Sequence, residues 1–180
     1  LLQYGLSEGY TPLRDIMKEY LKKKEGFDFE NNELFIVSGG QQCADLITKA
    51  LVNEGDVVLT EEPAFVGCLN TFRSYGAKLV GVSMEQDGMN ISALEEALKA
   101  NPNAKFLYTI PSFQNPTGIT TSLEKRKKVY ELCCKYDIAI LEDNPYGELR
   151  FAGENVPTIK SIDTEGRVIY AGSFSKVMAP

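Results

Sequence analysis

The residues best suited to covalent chemistry stand near the end of the chain. Residues 167–171 have the β-branched and aromatic character of a short buried strand, and residues 172–176 then read Gly-Ser-Phe-Ser-Lys. Open α/β sheets bind ligands at the edge where strands end, and a partly desolvated amine there attacks carbonyl groups. The pattern predicts a nucleophile at Lys176, with a plain surface lysine as the alternative.

A second feature is a glycine turn between a predicted strand at 34–37 and a predicted helix. Residues 38–42 read Ser-Gly-Gly-Gln-Gln, and free backbone N–H groups at the start of a helix bind anions. The turn matches neither a Walker loop nor the GxGxxG fingerprint, so a standard nucleotide site is not predicted. A tight strand-to-helix turn without a ligand is the alternative.

Three more predicted strand ends carry candidate groups. Phe65 offers either core packing or a flat ring on which a planar ligand could stack. The backbone of Asn115 is restricted by Pro116, so its amide is either a fixed ligand donor or an Asx turn. Asp143 ends a buried strand, where a carboxylate needs a partner, and it is either a structural cap or the counter-charge of a bound cation.

The elements that would position these residues alternate along the chain. Strands are predicted at 34–37, 57–60, 78–82, 105–109, 138–141 and 167–171. Helices are predicted from an N-cap at Thr11, after residue 42, from Pro63, from a capping box at Ser92 and from a second one at Thr121. Repeated strand–helix units with short connections predict an α/β fold with a doubly wound, mainly parallel sheet. The first helix is expected to lay one apolar face on the core.

Composition excludes several classes of function. The chain of 180 residues has no histidine, so catalysis by Ser-His-Asp or Cys-His groups and histidine-ligated metal sites are excluded within it. The net charge of −6 and the lack of a basic block argue against nucleic-acid binding by this segment. No apolar run suggests a membrane span. Four cysteines without CxxC spacing indicate reduced thiols and a cytoplasmic protein.

Taken together, the motifs resemble the fold-type I pyridoxal-phosphate enzymes, specifically the class I/II aminotransferases. The similarity follows the family's order over essentially the whole chain, and it looks closest to the subgroup that acts on 2-aminoadipate, aromatic or branched amino acids. The matching stretches are Tyr4-Gly5 with Gly9 and Leu13-Arg14, residues 38–42, Glu62-Pro63-Ala64-Phe65, Asn115-Pro116-Thr117-Gly118, Asp143-Asn144-Pro145-Tyr146 and Ser173-Phe174-Ser175-Lys176.

The resemblance implies a role for each catalytic residue. Lys176 would form the Schiff base with the aldehyde of pyridoxal 5'-phosphate and then move the proton of the substrate Cα. Asp143 would pair with the pyridine nitrogen and keep it protonated. Asn115 and Tyr146 would hydrogen-bond the phenolic oxygen of the cofactor. Phe65 would stack on its ring, where many relatives carry tyrosine.

The resemblance also implies a phosphate site and a partner. Gly40 and Gln41, with Ser173 and Ser175, would hold the phosphate of the cofactor. Tyr4 matches a tyrosine that relatives lend to the phosphate of the neighbouring subunit, which implies a homodimer with shared sites. The substrates implied are an amino acid and a 2-oxo acid, exchanged in a ping-pong cycle.

The same resemblance implies parts that the chain does not contain. Residues 1–180 are expected to form part of the large cofactor-binding domain, and the small C-terminal domain and two arginines of relatives would lie beyond Pro180. The chain is therefore expected to be a fragment of a longer protein and inactive alone. Two other functions stay open: a β-eliminating lyase, and the aminotransferase-like domain of a winged-helix transcription regulator, which a helix-turn-helix segment upstream of Leu1 would reveal.

Overall fold

A single six-stranded sheet forms the centre of the molecule. The structure, a computed structural model, describes residues 3–178. The predicted domain range 1–180 therefore includes two residues at each end that lie outside the described residues. The strand order is β3-β2-β1-β4-β5-β6. The strands are β1 (Val57–Glu62), β2 (Lys78–Glu85), β3 (Gly88–Met89), β4 (Ala104–Thr109), β5 (Ala139–Asn144) and β6 (Val168–Gly172).

The sheet is mainly parallel, as the sequence predicts. Strand β1 pairs in parallel with β2 and β4, β4 pairs with β5, and β5 pairs with β6. Only the two-residue β3, which pairs with β2, is antiparallel among the strands of residues 3–178. Parallel neighbours need crossover connections, and helices supply most of them. The helices are α1 (Thr11–Glu25), α2 (Gly39–Leu51), α3 (Val66–Ser74), α4 (Ile91–Ala100) and α5 (Leu123–Lys135), with a 3₁₀ turn at Lys160–Ile162.

Helices cover both faces of the sheet, which confirms the doubly wound class. Helices α4 and α5 pack on one face, around Leu59, Leu107 and Ile140. Helices α2 and α3 pack on the other, around Phe106 and Leu141. Neighbouring strand residues thus enter different cores, because successive side chains of a strand point to opposite faces.

Two predicted elements differ in the structure. Residues 34–37 form no strand, and their backbone-to-backbone hydrogen bonds run only from Ile36 N to Glu8 O and from Gly39 N to Val37 O within residues 3–178. Their apolar run lacks a neighbouring strand within residues 3–178, and Phe35 is exposed. Pro63 does not open α3; a cis peptide bond joins it to Glu62, and α3 begins at Val66.

The helix starts were predicted to within about one turn. The N-cap of α4 is Asn90, whose side chain accepts from Ala93 N at 2.9 Å, rather than the predicted Ser92. Asn90, two residues before Ser92, satisfies one of the free N–H groups at the start of the helix. The N-cap of α5 is Ser122, which displaces the predicted Thr121 by one residue. The N-cap of α1 is likewise Tyr10 rather than Thr11.

Helix α1 does not lie on the core. None of the residues Thr11–Glu25 is buried, and Ile16 is 63% exposed. The prediction that α1 lays one apolar face on the core is therefore wrong within residues 3–178. The helix itself forms, and it ends at Gly26 as predicted. Its exposed apolar side chains leave a face without a partner in this part of the protein.

One edge of the sheet collects the candidate groups. Because β1, β4, β5 and β6 are parallel, the loops that follow them leave from the same edge. Helix α2 runs back toward the start of β1, so its first turn lies at that edge too. The fold therefore brings together chain segments that are more than 100 residues apart.

Candidate active site

The carboxylate of Asp143 lies at the end of β5, on the face covered by α2 and α3. Tyr108 of the neighbouring strand β4 donates a hydrogen bond from its hydroxyl to Asp143 Oδ2 at 2.8 Å. Burial raises the pKa of Asp143 to about 6, and the bond from Tyr108 opposes that rise. Burial and the charge of Asp143 in turn raise the pKa of Tyr108. The partner of Asp143 is thus a neutral donor.

Asn115 and Tyr146 form the second part of the site. Asn115 Nδ2 donates to the hydroxyl of Tyr146 at 3.3 Å, which joins the loop after β4 to the loop after β5. A cis peptide bond precedes Pro116. An amide and a hydroxyl placed side by side can both donate to one oxygen atom of a ligand. An open groove of about 710 Å³ adjoins the pair and is lined in part by Phe113 and Phe151.

Phe65 and Gln41 meet over Gly67. A Cβ atom added to Gly67 would lie 2.6 Å from the Phe65 ring and 2.7 Å from Gln41 Nε2. The absence of a side chain at this position lets both groups pack against the first turn of α3. Gln41 also accepts a long hydrogen bond, 3.7 Å, from Cys68 Sγ. The aromatic ring and the glycine turn thus belong to one side of the site.

The first turn of α2 is open. The side chain of its N-cap, Ser38, forms no capping hydrogen bond, and a Cβ atom added to Gly40 meets nothing within 4 Å. The first backbone N–H groups of a helix have no partner inside it. In this helix of 13 residues Gly39 N donates to Val37 O, and the N–H groups of Gly40 and Gln41 are available to an anion.

The loop after β6 carries the lysine. Ser175 N donates to Ser173 Oγ at 3.2 Å, which turns the chain just before Lys176. Lys176 is exposed, and the hydrogen bonds and ion pairs of residues 3–178 do not join it to Asp143 or Asn115. Lys176 therefore lies after β6 at the same edge of the sheet as Asp143, and no contact within residues 3–178 fixes its amine against Asp143 or Asn115.

Comparison with known proteins decides the family. The sequence profile described as "Aminotransferase class I and II" matches residues 1–179. The chain belongs to the class I and II aminotransferase family. It is 43% identical to aromatic-amino-acid aminotransferase 1 of Thermococcus litoralis over 99% of this chain and 44% of that protein. The chain thus spans less than half the length of this relative.

A solved structure supports both the family and the fold. The kynurenine aminotransferase of Pyrococcus horikoshii, crystallised in complex with PMP, superposes with a TM-score of 0.95 at 42% identity. The match covers 99% of this chain and 45% of that one. The family also reaches regulators, because an uncharacterised HTH-type transcriptional regulator of Bacillus subtilis is 35% identical over 99% of this chain and 37% of its own length.

The structure joins two pairs of predicted site residues by hydrogen bonds, Asn115 with Tyr146 and Ser173 with Ser175. Phe65 and Gln41 both lie against Gly67, and Asp143 binds Tyr108, which was not predicted as a site residue. Gly40 opens the helix beside Gln41. Tyr4 stands apart from all of them and is fully exposed. The expectation that Asp143 is a structural cap is not met, since its recorded hydrogen bond comes from a tyrosine hydroxyl and not from a backbone N–H.

Sequence reasoning missed three residues in and beside the candidate site. Tyr108 lies in the predicted strand 105–109, and the need of a buried tyrosine hydroxyl for a polar partner could have identified it. Glu61 and Gln114 form a buried pair between two site loops, with Gln114 Nε2 donating to Glu61 Oε2 at 3.0 Å. A carboxylate at the end of a buried strand needs polar partners. This rule applies to Glu61 as it does to Asp143, so it could have identified Glu61 from the sequence.

Among residues 3–178, every helix is too short or too polar to span a bilayer.

Proposed function

We propose that the full-length protein is a pyridoxal-phosphate-dependent aminotransferase that transfers the amino group of an amino acid to a 2-oxo acid. The observation that carries the proposal is the pairing of Asp143 with a neutral donor, at the same sheet edge as Asn115, Tyr146 and Lys176. A buried carboxylate whose recorded partner is neutral is suited to a cationic ring nitrogen. The substrates fall among aromatic amino acids and 2-aminoadipate.

The residues present fit the cofactor. Within residues 3–178 Asp143 Oδ1 accepts no hydrogen bond, and it would accept one from the protonated pyridine nitrogen. Asn115 and Tyr146 would donate to the phenolic oxygen, and Phe65 would cover the ring face. When bound, pyridoxal phosphate supplies an electron-accepting ring that stabilises the negative charge left on a substrate carbon.

The phosphate would lie between two turns of this chain. The open N–H groups at Gly40 and Gln41 would donate from the first turn of α2, and the hydroxyls of Ser173 and Ser175 would donate from the loop after β6. A helix start favours negative charge through both its free donors and its dipole.

Lys176 would serve as the proton carrier of the reaction. Once its Nζ is uncharged, this atom would accept the proton from the substrate Cα and hold it for return to the ligand. The same amine would hold the cofactor between turnovers by condensing with its aldehyde group, with loss of water.

Three statements about the whole protein belong to the proposal. The chain forms part of the large cofactor-binding domain, and a small domain outside it completes the site. The protein is a homodimer in which Tyr4, fully exposed here, reaches the phosphate of the neighbouring subunit. It is cytoplasmic, which is supported by the four cysteines that are all free thiols.

The test of this proposal is chemical labelling of the full-length protein incubated with pyridoxal phosphate. Borohydride reduction followed by peptide mass mapping is expected to leave the cofactor on Lys176, and Lys176→Ala is expected to retain none. In a separate sample that is not reduced, the wild-type protein should convert an aromatic amino acid to a 2-oxo acid over repeated turnovers only when a 2-oxo acid acceptor is added. Label on no lysine, or on a different one, would refute the proposal.

The two alternatives are distinguished by simple observations. A β-eliminating lyase would form an oxo acid without an acceptor. A regulator, which the similarity to the Bacillus subtilis protein favours, would carry a basic helix-turn-helix segment upstream of Leu1 and would lack turnover while still binding the cofactor.

A further inference from the structure

The carboxylate of Glu61 receives donors from three directions. It lies at the end of β1 and is 1% exposed. Its Oε1 accepts from Thr109 Oγ1 at 2.5 Å, and both oxygens accept from Ile110 N at 3.2 Å. Oε2 also accepts from Gln114 Nε2. A hydroxyl, a backbone N–H and an amide NH₂ all donating to one group match a carboxylate that only accepts.

Gln114 connects this carboxylate to two site loops. Its Nε2 also donates to Pro63 O at 2.7 Å, in the segment that leads to Phe65. Its Oε1 accepts from Thr117 N at 2.9 Å and from Thr117 Oγ1 at 2.6 Å, which closes the turn that contains Asn115. One buried side chain, 1% exposed, therefore links the loop with the aromatic ring to the loop with the amide.

A purely structural carboxylate stands nearby for comparison. Glu142 is 0% exposed at the end of β5, and its oxygens accept from Ile159 N at 2.8 Å and Lys160 N at 2.7 Å. Those contacts hold a segment on the face of α4 and α5 and reach no candidate site residue. Glu61 differs because each of its side-chain partners lies within one or two residues of a site loop.

We propose that Glu61 is a positioning residue, which acts through Gln114 to fix Asn115 and Phe65 relative to each other at the cofactor site. The inference rests on the proposed function, since it concerns the hydrogen bond that Asn115 offers to the cofactor. Glu61 does not touch the cofactor itself. Without the Glu61 carboxylate, Gln114 keeps its bond to Pro63 O and its two bonds from Thr117 but loses the buried acceptor that fixes its position. The amide of Asn115 then loses its fixed direction.

The test is a double-mutant cycle on the full-length protein loaded with pyridoxal phosphate. The readout is the pKa of the bound cofactor, followed by its absorption band as the pH is varied. An N–H donor on the phenolic oxygen favours the ionised form, so losing it raises that pKa. We expect Asn115→Ala and Glu61→Gln each to raise the pKa by about one pH unit.

The double variant separates positioning from general damage. If Glu61 acts through Asn115, the pKa of Glu61→Gln/Asn115→Ala equals that of Asn115→Ala alone. The matched control is Glu142→Gln, which makes the same change at an equally buried strand end and is expected to leave the cofactor pKa unchanged. An additive double variant, or an equal shift in Glu142→Gln, would overturn the inference.

A second variant tests the same link without changing Glu61, in case Glu61→Gln fails to fold. Gln114→Met keeps the length of the side chain and removes its amide contacts, so it breaks the same link from the other side. It is expected to reproduce the shift of Glu61→Gln; a wild-type cofactor pKa in Gln114→Met would contradict the positioning role. A wild-type protein that shows no lysine-bound cofactor would instead refute the proposed function.

Discussion

Glu142 and Asp143 are neighbours in the chain, but strand alternation turns their side chains to opposite faces of the sheet. Glu142 binds two backbone N–H groups on the α4 and α5 side, whereas Asp143 receives a hydroxyl on the α2 and α3 side. The pKa of both carboxyl groups is raised by burial. At the residue scale, the face of the sheet on which a carboxylate lies therefore decides which of the two belongs to the candidate site.

Replacing Tyr108 by phenylalanine is expected to weaken cofactor binding about tenfold, because a hydrogen bond to a charged group is lost. The loss should also raise the pKa of Asp143 further, since that bond favours its ionised form. The measurement is titration of the cofactor-free full-length protein with pyridoxal phosphate. The control is Tyr75→Phe, which removes a matching 2.8 Å bond to Asp45 away from the site. Equal losses in both variants would contradict the role of Tyr108.

The raised pKa of Asp143 predicts a pH dependence of stability. The folded value of about 6 exceeds the ordinary value of 3.8, so the folded protein binds this proton more tightly than the unfolded chain. The contribution to stability is complete below the ordinary value and is lost as the pH rises through about 6. It amounts to at most about 3 kcal/mol, because each pKa unit corresponds to about 1.4 kcal/mol.

Urea unfolding of the cofactor-free protein between pH 4 and pH 7 checks this prediction, with Asp143→Asn expected to show a smaller decline across that range. Glu142, with a pKa raised to about 7, adds a decline of the same sign in both proteins, so the difference between them isolates Asp143. Parallel curves for the two proteins would count against a raised pKa at Asp143.

At the scale of elements, most strands and helices follow from the sequence. The apolar run of residues 106–108 is buried on both faces, and α1 ends at Gly26. Residues 34–37 have the same apolar pattern but no neighbouring strand within residues 3–178, and a pattern alone does not reveal a missing neighbour. The apolar side chains at helical spacing on α1 likewise predict an apolar face, but the sequence pattern does not indicate which part of the protein covers that face.

The site was only partly predictable for a related reason. Its loops could be placed at one edge because the strands are parallel, and the resemblance named residues such as Asp143 and Asn115. The contacts between loops depend on register. Tyr108 reaches Asp143 because Tyr108 pairs with Leu141, two residues earlier on β5, and local sequence carries no record of that pairing.

Substituting Gly67 by alanine is expected to weaken cofactor binding about tenfold, because the new methyl group displaces the Phe65 ring and the Gln41 amide. Alanine is favourable inside a helix, so thermal stability should change little. Cofactor titration and thermal unfolding measure the two effects. Adding Phe65→Leu should make room for the methyl group, and the double variant should then bind no more weakly than Phe65→Leu alone.

At the scale of the whole molecule, exposed apolar residues gather toward the start of the chain. Tyr4 is fully exposed, Leu6 and Ile16 are each 63% exposed, and Tyr10 is 74% exposed. A grouping of this kind marks an interaction surface. The proposed homodimer would place it at the subunit interface, where Tyr4 reaches the neighbouring site.

Subunit mixing tests the shared site in the full-length protein. Tyr4→Ala and Lys176→Ala are each expected to be nearly inactive alone. After the two variants are unfolded and refolded together, mixed dimers contain one site with both residues intact, so about a quarter of wild-type activity should return. Activity that remains at the level of the separate variants would show that each site takes both residues from one subunit.

The order of the strands has a consequence for synthesis. Strand β6 is the last strand of residues 3–178 to leave the ribosome, and there it pairs only with β5 at the outer edge of the sheet. Chains emerge from their N-terminus and fold in that direction. Lys176 therefore leaves the ribosome after the segments that carry the carboxylate, the amide and the aromatic ring. If Lys176 binds the cofactor as proposed, covalent capture waits for the last strand of this sheet to join its edge.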